Sequence, residues 1–211
     1  ISQYISAVLV AAALFRSREI YGLRMSALHL NRSRTKAILA IGLPAAFQSG
    51  LFALANLFIQ VGVNSFDAVM VAGNSAAANA DGLVYDVMAA FYTACGSFIG
   101  QNYGARQRER VKRSYLVSLA YSFGFGMALG LLILALGPQF LALFTRDSAV
   151  VEAGMKRLAV MSVSYGCSAF MDCTIAACRG LGRSFVPTVI VILGSCVFRV
   201  VWVYTVFAYF Q

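Results

Sequence analysis

The sequence predicts an all-α, polytopic transmembrane helical bundle, with about five complete spans following one truncated N-terminal span. Three observations predict it. Hydrophobic residues make up 60% of the 211 and charged residues only 12%, and the mean hydropathy is +0.77, outside the range of soluble domains. Residues 37–66 and 114–145 contain no charged side chain, and a helix needs only about 20 apolar residues to cross the hydrocarbon. The basic residues cluster between the apolar segments instead of on one face, which is orientation information for a membrane protein and not the footprint of a nucleic-acid binder. A transmembrane β-barrel needs polar/apolar alternation that these solid runs lack.

Taken in order, residues 1–15 are apolar and end at Arg16. At about 1.5 Å per residue they reach about 22 Å, less than a typical hydrocarbon core, so they read as the end of a helix cut at its start. Residues 16–36 hold six basic side chains, among them Arg18, Arg24 and Lys36. Full spans are expected at about 37–64, 69–100, 113–136, 150–178 and 186–210. Pro44 falls inside the first of these and removes one helix hydrogen bond. Gly124, Gly126 and Gly130 thin the third, permitting close packing or bending. Between the third and fourth, Gly137-Pro138 marks a turn into an interfacial elbow at residues 140–144. Two domains follow: 1–35, a helix end and basic linker, and 36–211, most of a transmembrane lobe.

Five cysteines without metal-ligand spacing predict neither a disulfide framework nor zinc, and read better as small packing residues. His29, the only histidine, sits in the basic linker with no second ligand or nucleophile nearby. A nucleotide P-loop is absent, and Gly180-Leu181-Gly182 is a weak sign of an intramembrane protease.

Polar groups within the spans carry the functional information. A charged residue at mid-span costs roughly 2.5–3.5 kcal/mol on insertion scales, so a cavity, ion or partner should accompany it. Asp81, Asp86, Asp172 and Arg199 meet that description. Asn74, Asp81, Tyr85, Met88 and Tyr92 share one side of a helix, where a carboxylate able to hold H⁺ or Na⁺ would stand beside aromatic rings suited to an organic cation. Asp86 lies off that stripe. Ser49, Asn56, Gln60 and Asn64 form a second stripe, and Tyr165, Ser168 and Asp172 a third. Arg199 is the deep basic group of the last span, with Asp172 as a candidate ion-pair partner in packing or gating. Asp81 and Asp172 are therefore the ion-coupling candidates, and Asn56, Gln60, Asn74, Tyr85, Met88 and Tyr92 the substrate-cavity candidates.

Ile41-Gly42-Leu43-Pro44 opening one span, Gly100-Gln101-Asn102-Tyr103-Gly104-Ala105 ending the next, and Arg179-Gly180-Leu181-Gly182-Arg183-Ser184 joining two others together resemble the multidrug and toxic compound extrusion (MATE) family across essentially the whole chain. The resemblance implies twelve helices in two six-helix lobes, with residues 1–15 ending the sixth and Lys36 opening most of the second lobe. It further implies export of drugs and organic cations by alternating access, driven by Na⁺ or H⁺, from a cavity shared with an N-terminal lobe. Some members carry a glutamate of the cation site in the seventh helix. Here Leu51, Phe52 and Leu54 occupy that neighbourhood.

The expected function is secondary active export of amphipathic, often cationic compounds by a multi-pass protein of a bacterial inner membrane, with no organic cofactor and no enzymatic step. A lipid-linked precursor flippase of the same superfamily, an intramembrane hydrolase and a non-transporting receptor or scaffold are the alternatives. The basic-residue asymmetry predicts that the loops around Arg24, Arg108 and Arg183 all face the cytoplasm. With single cysteines placed in each loop, an impermeant thiol reagent should label none of them from outside intact cells; strong labelling of any one contradicts the topology.

Overall fold

The computed structural model describes residues 2–17, 22, 29–207 and 209. Arg18 and Arg24 of the basic linker lie outside the described residues. The chain divides into two compact units, Ile1–Leu39 and Ala40–Gln211. Within the first, α1 (Ser2–Arg16) is an apolar helix with no buried residue. Asn31 opens α2 (Arg32–Val63) by accepting from the backbone N–H groups of Ser33 and Arg34 at 3.0 and 3.2 Å, satisfying donors that a helix start leaves free.

The second unit is a bundle of long helices: the remainder of α2, then α3 (Ala68–Gly104), α4 (Arg108–Ala135), a short α5 (Gly137–Leu141) and α6 (Ser148–Gly180). A final span over Phe185–Thr205 comprises α7 (Phe185–Val191) and α8 (Phe198–Trp202), with a π-helical segment at Ile192–Val197 between them and another at Val203–Phe207. Among the described residues there are five helices long and apolar enough to cross a membrane. Asp67 caps α3 by accepting from Met70 N–H at 2.8 Å, and Asp147 caps α6 by accepting from Ala149 N–H at 2.9 Å. The helices α2, α4 and α6 begin before the apolar runs do, because hydropathy marks hydrocarbon and not hydrogen bonding. The last span was expected as one regular helix; its π turns at Ile192–Val197 are a difference that periodicity does not reveal.

The core is made by α3, α4 and α6. Small residues let α3 and α6 approach closely: a Cβ added at Gly73 would lie 2.8 Å from Gly154 N and Val150 O, and one at Gly180 would lie 2.6 Å from Gly96 O. Between these glycine contacts Ala77, Ala80 and Ala169 are fully buried. With little hydrophobic gain between helices in lipid, such backbone proximity and its dispersion contacts are what hold a bundle together. The elbow inserts Leu141 against Ala76, Ala77, Ala80 and Leu158, so the turn at Gly137-Pro138 closes one end of the core. Cys95, Cys173 and Cys196 are buried, and all five cysteines are free thiols. Of the three glycines in α4, Gly126 faces Met88 and Gly130 faces Tyr165, while Gly124 has open space.

Two loops end their helices alike. Gly182 takes φ +76° after α6, and Arg106 takes φ +58° after α3. In both, the residue in this left-handed conformation returns its N–H to a carbonyl of the last turn, Gly182 to Arg179 and Arg106 to Tyr103, a termination that favours glycine for want of a Cβ clash.

The packing yields a paired prediction. Gly73→Ala and Gly180→Ala should each cost about 1–3 kcal/mol, since backbone atoms cannot yield as a flexible side chain can. Gly124→Ala should change stability by no more than about 0.5 kcal/mol. Thermal unfolding in detergent measures all three; a Gly124→Ala loss equal to the others contradicts the assigned contacts.

Candidate functional site

The three polar stripes of the sequence meet at one cleft of about 720 Å³ in the second unit. One wall is α3 with α6; the other is α2 with the last span. The two elements of that second wall are joined by polar contacts. Gln48 accepts from Thr188 Oγ1 at 3.1 Å, and Arg199 donates to Asn56 Oδ1 at 3.1 Å. Phe58 meets Tyr204 edge-on with ring centroids 6.2 Å apart.

On the first wall, Asp81 is the centre of a network. Arg157 donates from Nε at 3.0 Å and from Nη2 at 2.7 Å to Asp81 Oδ2, and Tyr165 donates its hydroxyl to Asp81 Oδ1 at 2.6 Å. Arg157 also donates from Nη1 to Asn74 Oδ1. Both carboxylate oxygens of Asp81 therefore have a partner, and the pair is largely shielded, at 13% side-chain exposure for Asp81 and 32% for Arg157. Two guanidinium donors on one carboxylate oxygen and a hydroxyl on the other are charge-assisted bonds that offset the desolvation of the two charges.

From sequence, Arg157 was assigned no role and this contact was missed. The signal was present: Arg157, Met161, Tyr165, Ser168, Asp172 and Arg179 repeat at helical spacing, and all six line the cleft. The stripe first seen at residues 165–172 runs on for two more turns in each direction.

Asp172 contrasts with Asp81. Its Oδ2 is buried and has no hydrogen-bond partner among the described residues. The expected pairing of Asp172 with Arg199 is not formed. Arg199 reaches instead across to Asn56 and lies 5.8 Å from the centroid of the Phe52 ring, because the last span packs beside α2, where the amide is the nearer acceptor. Arg179 at the other end donates to Gln48 Oε1 at 3.1 Å. With three guanidinium groups and two carboxylates among the lining residues, the cleft carries one formal positive charge.

The remaining candidates divide. Asn56, Tyr85 and Tyr92 line the cleft, the two tyrosine rings 6.1 Å apart. Asn74 orients Arg157 and is not itself among the lining residues. Two expectations are corrected. Met88 is fully buried with Val84, Tyr165 and Ala169, since it stands at the edge of the stripe where Gly126 leaves room and a flexible thioether fills the gap. Gln60 donates to Asn64 at 2.8 Å one turn away and does not line the cleft, so these two amides satisfy each other. Asp86 is exposed and likewise outside it.

Comparison with known proteins agrees with this architecture. The family model MatE matches residues 44–205. The protein named Probable multidrug resistance protein NorM from Thermotoga maritima is 22% identical over the whole of this chain and 45% of its own length. An FAD transporter from Shewanella oneidensis is 27% identical over 64% of this chain and 30% of its own. Among solved structures, the outward-facing conformation of a multidrug resistance MATE family transporter of the MOP superfamily shares the fold at a TM-score of 0.84 and 24% identity, covering 96% of this chain and 46% of that one. The chain thus spans about half the length of the relatives it matches. With the family model covering most of its residues and the same helical fold in the solved transporter, the chain belongs to the MatE family, the multidrug and toxic compound extrusion proteins.

Proposed function

We propose that the chain supplies one lobe of a cation-coupled efflux antiporter for amphipathic, often cationic compounds, working in a bacterial inner membrane with a second, N-terminal lobe. The observation that carries the reading is the unequal state of two carboxylates in one cleft. Asp81 is held on both oxygens by Arg157 and Tyr165, whereas Asp172 keeps a buried oxygen with no donor. A buried carboxylate to which no cation is hydrogen-bonded is the one of the two more readily neutralised by binding H⁺ or Na⁺. Asp172 is thus the preferred coupling residue, and Asp81, although an acidic group on the same wall, serves to hold α3 against α6. Ion occupancy of Asp172 changes the charge of the cleft and so biases the inward- and outward-facing states, which is what coupling requires. Tyr85, Tyr92 and Phe52 offer aromatic faces for a lipophilic cation.

A second reading is favoured by the arginines. Arg157, Arg179 and Arg199 all line the cleft, and a relative is an FAD transporter; guanidinium groups beside aromatic rings suit an anionic substrate with a flat ring system. Efflux of a cationic dye against release of flavin dinucleotide from cells separates the two.

Asp172→Asn keeps the side chain's size and removes its titratable charge. In the intact gene product it should abolish the H⁺ or Na⁺ dependence of export at matched membrane abundance, and unchanged ion dependence sinks the assignment. Asp81→Asn should instead strand the Arg157 guanidinium, costing about 1–3 kcal/mol of stability and lowering abundance. Asp81→Asn combined with Arg157→Gln should recover most of that loss. Failure of the pair to couple in such a double-mutant cycle argues against the ion pair.

A further inference from the structure

A second cavity, of about 750 Å³, opens between α3 and α4 and shares no lining residue with the polar cleft. Its two walls are antiparallel helix faces. From α3 come Phe91, Ala94, Phe98 and Gln101, with Ala105 at its C-terminal cap, spaced by three or four residues; from α4 come Arg110, Arg113, Val117 and Tyr121 at the same spacing. The groove is graded in polarity along its length. At one end stand Arg110, Arg113, Gln101 and Asn102. At the other end Phe91 stacks on Tyr121 with centroids 5.8 Å apart and planes 14° apart, forming an aromatic stop.

Among the described residues no carboxylate pairs with the charge at the polar end. Glu109, the nearest acidic residue in sequence, pairs with Lys112 at 3.2 Å on an exposed face. Among the described residues the three ion pairs are those of Lys112, Lys156 and Arg157, and none involves Arg110 or Arg113. Length adds a second constraint. From Phe91 to Ala105 an α-helix rises about 21 Å, close to one leaflet of a bilayer about 40–45 Å thick including headgroups. A molecule with an anionic head and an apolar tail one leaflet long fits both constraints.

We propose that this groove binds an anionic phospholipid, with its phosphate at Arg110 and Arg113 and one acyl chain lying along Phe98 and Val117 towards the Phe91–Tyr121 stack. Two arginines at a membrane surface attract an acidic lipid through charge, and their planar donors match phosphate oxygens. The apolar walls supply what a soluble anion could not use. Because this lipid bridges the ends of α3 and α4 near the loop that joins them, it acts on the bundle from outside and does not enter the transport cleft.

The test uses the purified intact protein, delipidated in detergent and offered equal amounts of phosphatidylglycerol and phosphatidylcholine with identical chains, with bound lipid read by native mass spectrometry. Phosphatidylglycerol should be retained roughly tenfold over phosphatidylcholine. The double variant Arg110→Gln/Arg113→Gln should bring that ratio close to one, while Arg106→Gln/Arg108→Gln, which removes the same charge from the preceding turn and the first residue of α4, outside the groove, should leave it unchanged. Val117→Trp, filling the tail channel, should reduce retention of both lipids, and inorganic phosphate at millimolar concentration should displace neither. A photoreactive phosphatidylglycerol should cross-link within residues 91–121 in each variant that still binds. Absence of a preference in the unaltered protein, equal loss in the two arginine pairs, displacement by free phosphate, or cross-links confined elsewhere would each overturn the proposal.

Discussion

The close approach of α3 and α6 governs the rest of the structure. Gly73 against Gly154 and Gly96 against Gly180 bring the two backbones near contact, and the alanines between leave no room for larger groups. This geometry fixes the relative rotation of the helices, and so decides which residues face each other beside the contact line. One turn around from the small residues, Asp81 of α3 meets Arg157 and Tyr165 of α6. The charged network is a consequence of the apolar packing. A rotation of either helix by one residue, about 100°, would carry Asp81 into the core or into lipid.

The same constraint separates the two faces of α3. Its core edge holds Ala80, Val84 and Met88, and its other edge holds Asp81, Tyr85 and Tyr92. On the far side of the cleft, α2 and the last span meet through Gln48, Asn56 and aromatic rings, a looser and more polar contact than that of α3 with α6. The last span also carries π turns on either side of α8, which bears Arg199, a form of local distortion found at functional positions in helices. The cleft thus has a tightly packed wall opposite a wall joined mainly by hydrogen bonds.

Much of this was legible in the sequence. Long, predominantly apolar runs, two of them without any charged side chain, gave the spans, and helical spacing put Asp81, Tyr85 and Tyr92 on one face. The resemblance carried by the Ile-Gly-Leu-Pro, Gly-Gln-Asn-Tyr-Gly-Ala and Arg-Gly-Leu-Gly-Arg-Ser segments pointed to the family. Pairing across helices was not legible. Arg157 was not singled out, since its partner lies 76 residues away, and Asp172 looked like the partner of Arg199 since both are deep and opposite in charge. Only the packing shows that Asn56 stands nearer to Arg199. Met88 misled for a different reason: spacing gives the direction of Cα–Cβ, while a long flexible side chain settles where Gly126 leaves space.

The central claim is that, of two acidic residues in one cleft, Asp172 takes up the coupling ion and Asp81 is held by Arg157. Infrared difference spectroscopy of the intact protein in lipid, recorded between low and high pH and between low and high Na⁺, observes a titrating carboxyl group directly and without reference to transport. A carboxyl band that responds to pH or Na⁺, beyond the contribution of the surface acids common to every variant, should be present in the unaltered protein, persist in the Asp81→Asn/Arg157→Gln variant and vanish in Asp172→Asn. A band that survives Asp172→Asn and disappears with the loss of Asp81 would contradict the assignment.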